Sequence, residues 1–181
     1  MGKSKTIDRD KLLDAVEEII SAKGTSALTI DAVAKKLNIS KGGVQSCFKS
    51  KELLVKAVAL RWEKNYEELM SKQLPENPSP IDQIKKHIEM TGKEEILFSR
   101  AACHLSALSE SAELREWLKN WHTKKIKSLG TISDEEKRAL VAYLATEGAF
   151  YIKYLGLADL TDKEWSEIFS LISQLIEGKL K

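Results

Sequence analysis

A chain of 181 residues is the length of one domain, or of a small domain joined to a larger one. With 43% hydrophobic and 31% charged residues it has the balance of an ordinary globular protein, and nine Gly with three Pro exclude a collagenous or linker-like composition and are few for an all-β chain. Its longest stretches without Asp, Glu, Lys or Arg, such as Ala101–Ser109, fall well short of the roughly 20 apolar residues of a membrane span. The start is polar and runs at once into Asp8, Arg9 and Asp10, unlike a secretory signal, and Cys47 and Cys103 make neither a disulfide framework nor a four-cysteine metal site. These features give the expectation of a soluble, cytoplasmic protein with no membrane partner. The net charge of +2 divides unevenly. Residues 1–51 hold nine Lys and one Arg against six acids, a balance of +4, and the remainder is −2. An excess of positive charge in the first third is the direction expected of a segment that meets phosphate.

In chain order the apolar residues follow the period of a helix. Asp8–Lys23 aligns Leu12, Leu13, Val16, Ile19 and Ile20, and Gly24 stands at the stop position. Thr29 is placed to cap a short helix with Ile30, Val33, Ala34 and Leu37, and Ser40 another with Val44 and Phe48. Ser50 opens a helix to Lys72 bearing Leu53, Leu54, Ala57, Val58, Trp62, Tyr66 and Leu69. All three prolines fall in Pro75–Pro80, the one strong break. Beyond it, Ile81, Ile84 and Ile88 mark a helix ending near Gly92, Lys93–Ser109 another, and Ser111 begins one with Leu114, Trp117, Leu118, Trp121 and Ile126. Ser133–Glu136 and Thr161–Glu164 read as capping boxes before the last two helices. Nothing alternates with period two. The chain is predicted to be all-α, with about nine helices.

Thr29–Leu37 and Ser40–Phe48 are separated only by Asn38 and Ile39, the spacing of a helix-turn-helix. Ala34 is the small contact residue, and Asn38 is the non-glycine type best suited to positive φ at the turn. Gly42 and Gly43 then sit inside a helix of about eight residues, each costing roughly 0.8–1.0 kcal/mol relative to Ala. Their missing side chains would let a phosphate backbone lie close. Ser40, Lys41, Lys49, Ser50 and Lys51 form a polar, cationic rim, and Gln45 and Ser46 complete a surface suited to reading a groove.

With these residues in view, the segment 9–58 resembles the DNA-binding domain of the TetR family of transcriptional regulators. It runs from Arg9-Asp-Lys-Leu-Leu through Leu28-Thr-Ile-Asp-Ala-Val-Ala to Ser40-Lys-Gly-Gly-Val-Gln-Ser-Cys-Phe-Lys-Ser-Lys-Glu-Leu-Leu. Ala145–Leu157 is loosely similar to the penultimate helix of many members. The resemblance implies a helix-turn-helix domain at 1–50 and a helical ligand-binding and dimerising domain at 51–181, with the helix at 51–72 connecting them. It further implies that Thr29 and Lys51 hold phosphates, and that Lys41, Gly42 and Gly43 meet backbone or base edges. This chain departs from the family in carrying Gln45, Ser46 and Cys47 where aromatic residues or His are common, and Asn38 where Gly is usual. Gln45 gains the ability to pair bidentately with adenine.

The remaining candidates are weighed on chemistry. His87, His104 and His122 lie on different predicted helices without metal-ligand spacing, so core or surface roles are expected, no metal or cofactor is implied and no enzymatic activity follows. Cys47 reads either as a half-buried thiol or as a redox switch, and Cys103 as core. Met90, Phe98, Trp117, Trp121, Tyr143, Phe150 and Tyr151 are core aromatics and Met or, as the resemblance implies, the lining of a small-molecule site. Glu147 lies in an apolar stretch, where it faces solvent, caps a neighbour or reads a polar group of a ligand. Ala149–Leu155, with Phe150 and Tyr154, is apolar almost all round. The last helix presents Trp165, Ile168, Phe169, Ile172 and Leu175 as a wide stripe. Two such helices from each of two chains would make a four-helix homodimer interface, the alternative being that both stripes are filled internally. The function expected is a homodimeric regulator, a repressor of a palindromic double-stranded operator released by an apolar or amphipathic effector. The alternative is a helical ligand-binding or protein-interaction module of the same fold that does not bind DNA.

Overall fold

In the computed structural model the described residues are 8–23, 27–93, 112–154 and 156–180. They form eight α-helices and no strand: α1 (Arg9–Lys23), α2 (Ile30–Leu37), α3 (Lys41–Cys47), α4 (Lys51–Gln73), α5 (Pro80–Gly92), α6 (Ala112–Ser128), α7 (Asp134–Tyr154) and α8 (Asp162–Ile176). The helix expected over Lys93–Ser109 lies outside the described residues. By contacts the chain divides into two units, one drawn from 1–64 and 98–118, the other from 65–97 and 119–181. Both α4 and α6 therefore contribute to each unit.

In the first unit α1, α2 and α3 enclose Leu12, Val16, Ile20, Leu28, Val33, Val44 and Phe48, joined by Leu54, Val58 and Trp62 from the first half of α4. Each such side chain contributes roughly 1.5–3 kcal/mol by leaving water. Trp62 meets Trp117 edge to face at 6.0 Å. Leu53 and Leu60, although apolar, point outward, because the buried stripe of α4 runs through Leu54, Val55, Val58, Ala59 and Trp62. Arg61 ties α4 to α1: its guanidinium bonds Asp14, the Asp10 carbonyl and Glu17. Burial works to lower the Arg61 pKa, but the bonds and charges of Glu17 and Asp14 outweigh it and hold the group above its ordinary value.

In the second unit α5, α7 and α8 pack on one another around Ile84, Ile88, Met90, Tyr143, Phe150, Trp165, Phe169, Ile172 and Ile176. The proline-rich break ends in a capping box, Ser79 with Asp82, and Pro80 takes the first turn, where no amide is missed. Ser133 with Glu136 and Thr161 with Glu164 close the same way. The Trp165 indole N–H donates to the Gly92 carbonyl at 3.0 Å, and a methyl on Gly92 would stand 2.7 Å from the Phe169 ring. Among the described residues no helix is long and apolar enough to cross a membrane.

Candidate functional site

The helix-turn-helix is built from local bonds that the sequence supplies. Thr29 Oγ1 accepts the Ala32 amide at 3.0 Å and caps α2, which leaves its hydroxyl proton to donate outward. Asn38 takes the left-handed conformation, φ 52° and ψ 47°, and the Ile39 amide returns to the Ala34 carbonyl at 3.0 Å. Ser40 Oγ accepts the Gly43 amide at 3.1 Å and caps α3. Val44 and Phe48 point inward, and the Arg9 guanidinium lies 4.6 Å over the Phe48 ring. The outward face carries Thr29, Ser40, Lys41, Gly42, Gln45, Ser46 and Lys49, all exposed, with Gly43 and Lys51 half-buried beside them. The Ser46 hydroxyl donates to the Gly43 carbonyl at 2.7 Å, and Lys41 pairs with Asp31 at 2.9 Å. A methyl built on Gly42 meets nothing within 4 Å. Cys47 is a half-buried, unbridged thiol 3.9 Å from Ser46 Oγ, and Cys103 lies outside the described residues.

This head matches the family description "Bacterial regulatory proteins, tetR family" over residues 12–58, and residues 83–177 match "Tetracyclin repressor-like, C-terminal domain". The chain belongs to the TetR family. It is therefore a DNA-binding transcriptional regulator in fold, its helix-turn-helix followed by the family's C-terminal domain. Among solved structures it is similar to a putative TetR-family regulator from Rhodococcus sp., at TM-score 0.72 and 16% identity over 96% of this chain and 98% of that one. It is similar also to GusR of Salmonella enterica, at 0.66 and 17% over 95% and 94%. A third is AibR, solved with isovaleryl coenzyme A and operator DNA, at 0.67 and 15% over 93% and 97%. At these identities the likeness is one of fold. No curated protein matches the chain.

The residues anticipated for ligand binding fall in both units of this TetR-family chain. Phe98 lies outside the described residues. Trp117 belongs to the first unit, where its indole N–H donates to Glu63 at 3.2 Å. Met90, Trp121, Tyr143, Glu147 and Tyr151 belong to the second, and there Glu147 is the centre of a polar network. It does not face solvent: it is buried, with Oε1 2.7 Å from His87 Nε2 and Oε2 3.9 Å from His122 Nδ1. A carboxylate only accepts, so His87 Nε2 donates, and in neutral His87 Nδ1 accepts from the Tyr66 hydroxyl at 3.0 Å. His122 lies between the hydroxyls of Tyr143 at 2.7 Å and Tyr151 at 3.0 Å. Tyr66 meets Trp121 at 5.0 Å, and the Lys125 ammonium stands over both rings. The sequence puts Tyr66 on an apolar helical stripe and gives His87 and His122 core or surface roles, but it neither singles out Lys125 nor joins the four. His87 does fall on the Ile84–Ile88 stripe, a hint of burial, but its partner is sixty positions away. Among the described residues no group of three His, Cys, Asp or Glu is arranged to hold a metal ion.

Of the seven residues expected at a subunit interface, Phe150, Trp165, Phe169 and Ile172 are buried within their own unit, while Tyr154, Ile168 and Leu175 are half-buried. The aromatic set stacks on itself, Phe150 on Tyr154 at 5.0 Å and Trp165 on Phe169 at 4.6 Å. Both helices are apolar over more than one face, and the aromatic face is the one turned inward. What stays exposed is Val141, Leu144 and Ile152 on α7 and Leu171 on α8, each 41–52% accessible. Gly148 shares that α7 face, and a methyl there would meet nothing within 4 Å.

Proposed function

We propose that this chain is a homodimeric, effector-controlled repressor that acts in the cytoplasm on a palindromic operator and is released by a small molecule. The observation that carries the DNA reading is Gly42. A helical glycine costs roughly 0.8–1.0 kcal/mol relative to Ala, and nothing inside the molecule needs the space it leaves. The need is external, and the cationic, hydroxyl-rich face around it names phosphate as the partner. Thr29 and Lys51 serve as phosphate holders, Lys41 and Gly43 approach backbone or base edges, and Gln45 is the base reader, with Ser40, Ser46 and Lys49 on its rim.

The exposed stripe of α7 and α8, with Ile168 and Leu175 at its edge, supports the dimer. Gly148 repeats the argument of Gly42, a costly residue whose bare face suits a close helix crossing. Two heads on one dimer would meet half-sites separated by about one DNA turn of 34–36 Å or a multiple. The network around Glu147 supports an effector site in the second unit, since a buried carboxylate with two histidines is costly for a domain needing only a core. The test is fluorescence anisotropy with duplex DNA from upstream of the gene at two salt concentrations. Tight, salt-dependent binding to one sequence above random DNA is expected. Equal binding to all sequences, or none, would leave a helical module without operator recognition.

A further inference from the structure

Lys125 is chemically unusual for its position. It is half-buried on α6, and among the described residues its ammonium makes neither a hydrogen bond nor an ion pair. Instead it stands 5.2 Å from the centre of the Trp121 ring and 5.5 Å from that of Tyr66, two rings that meet nearly at right angles, 77°, to form a corner. Lysines on helices ordinarily extend the charge into water. Here burial holds the group below the usual lysine range and Lys124 adds repulsion, while Glu67 and Glu147 pull the other way. Aromatic faces compensate a desolvated cation only in part. The rings accept no conventional hydrogen bond, so the ammonium keeps donor capacity for an anion.

We propose that Lys125, walled by Trp121 and Tyr66, receives the carboxylate of an organic monoanion with a flat or extended apolar body, and that this is the class of the effector. The inference rests on the reading of the chain as effector-controlled. The charge around the ammonium favours a single negative charge: Glu67 and Glu147 both act on Lys125, so the second charge of a phosphate dianion would be repelled by two carboxylates. The walls set the body. Indole and phenol faces offer broad apolar area at low conformational cost.

The experiment is isothermal titration calorimetry of the full chain with phenylacetate and octanoate, each paired with its neutral amide, and with phenethylamine and inorganic phosphate. At least one carboxylate should bind saturably and more tightly than its amide, the amine or phosphate. Lys125→Met, which keeps the apolar stem, should weaken it by about tenfold or more, the worth of a hydrogen bond to a charged group, and leave the amide unchanged. Lys125→Gln should do the same, and thermal melts of both variants verify the fold. The proposal is overturned if neither carboxylate saturates in the millimolar range, if amide or amine binds as tightly, or if both variants keep wild-type affinity. Operator binding of the ligand-free wild type is measured separately. Carboxylate binding without DNA binding would sink the regulator reading and keep this site; the reverse would sink the site alone.

Discussion

His87 Nε2 lies 2.7 Å from Glu147 Oε1, and both side chains are almost wholly removed from solvent. Tyr66 from α4, His87 from α5, His122 from α6 and Glu147 from α7 are thereby linked through one carboxylate, so four helices of the second unit share a single polar centre. Removing one partner from such a pair leaves the other buried and uncompensated. Glu147→Ala should accordingly cost about 3 kcal/mol or more in a urea unfolding curve. Glu147→Gln, which can still accept from His87, should cost less. Equal stability of Glu147→Ala and wild type would mean that the network contributes nothing to the fold.

The turn between α2 and α3 gives a second expectation. Asn38 holds φ 52°, where a β-carbon is strained, so Asn38→Ala should destabilise by about 1 kcal/mol while Asn38→Gly is near neutral. Gly42→Ala points the other way. With open space around it, the variant should gain up to about 1 kcal/mol of stability and lose affinity for DNA, because the methyl stands where the backbone would lie. A Gly42→Ala protein that is both more stable and fully competent on DNA would refute the close approach.

What the sequence displayed was what a helix settles locally. Thr29, Ser40, Ser133 and Thr161 could be placed as caps because a hydroxyl and an amide three positions on are bonded within one turn. Asn38 was legible for the same reason. The Glu147 network was not, since His87 and Glu147 are brought together by the packing of α5 on α7 rather than by any spacing along the chain. Trp165 and Leu171 show the other limit: both lie on α8 and both are apolar, yet one is buried and the other half exposed. A helix apolar on two faces does not reveal which face its own domain will use.

Two DNA contacts should be separable by the kind of loss they produce. Lys51→Ala removes a cation proposed to hold a phosphate, so it should weaken all sequences alike and reduce the salt slope by about one unit. Gln45 is exposed on α3, and Gln45→Ala should instead relax preference at one base pair by roughly 1–3 kcal/mol. An unchanged preference profile after Gln45→Ala would remove it as a base reader.

Acid should act through the helix caps. The Ser79 hydroxyl and amide hold the Asp82 carboxyl below its ordinary range, the Ser133 and Ile132 amides do so for Glu136, and the Thr161 amide and hydroxyl for Glu164. In each case the folded state favours the ionised form. That contribution is therefore complete above the unfolded values, near pH 4, and is lost as pH falls through the lower folded ones. The urea midpoint should drop as pH falls below about 4, and the combined Asp82→Asn, Glu136→Gln, Glu164→Gln variant should show a shallower drop from a lower start. An identical acid limb in wild type and variant would place the titration elsewhere.

Assembly can be tested by moving a charge between the two faces of α7 and α8. Leu144 and Leu171 are about half exposed, so Leu144→Glu or Leu171→Glu leaves the unit's own core untouched. In the proposed dimer either charge would be buried without a partner. These variants should keep wild-type helicity, sediment as monomers, and lose most operator affinity because each head must then bind its half-site alone. Phe169→Glu is a different experiment. Its ring is packed against Trp165 and the backbone at Gly92, so the charge enters the core of its own unit and should unfold it, whatever the state of association. Gly148→Leu separates the cases further: in the isolated chain it fills open space and should not destabilise, whereas a helix crossing at that point would be forced apart. Wild-type protein that sediments as a monomer at micromolar concentration, or a Gly148→Leu dimer as tight as wild type, would exclude this face as the interface.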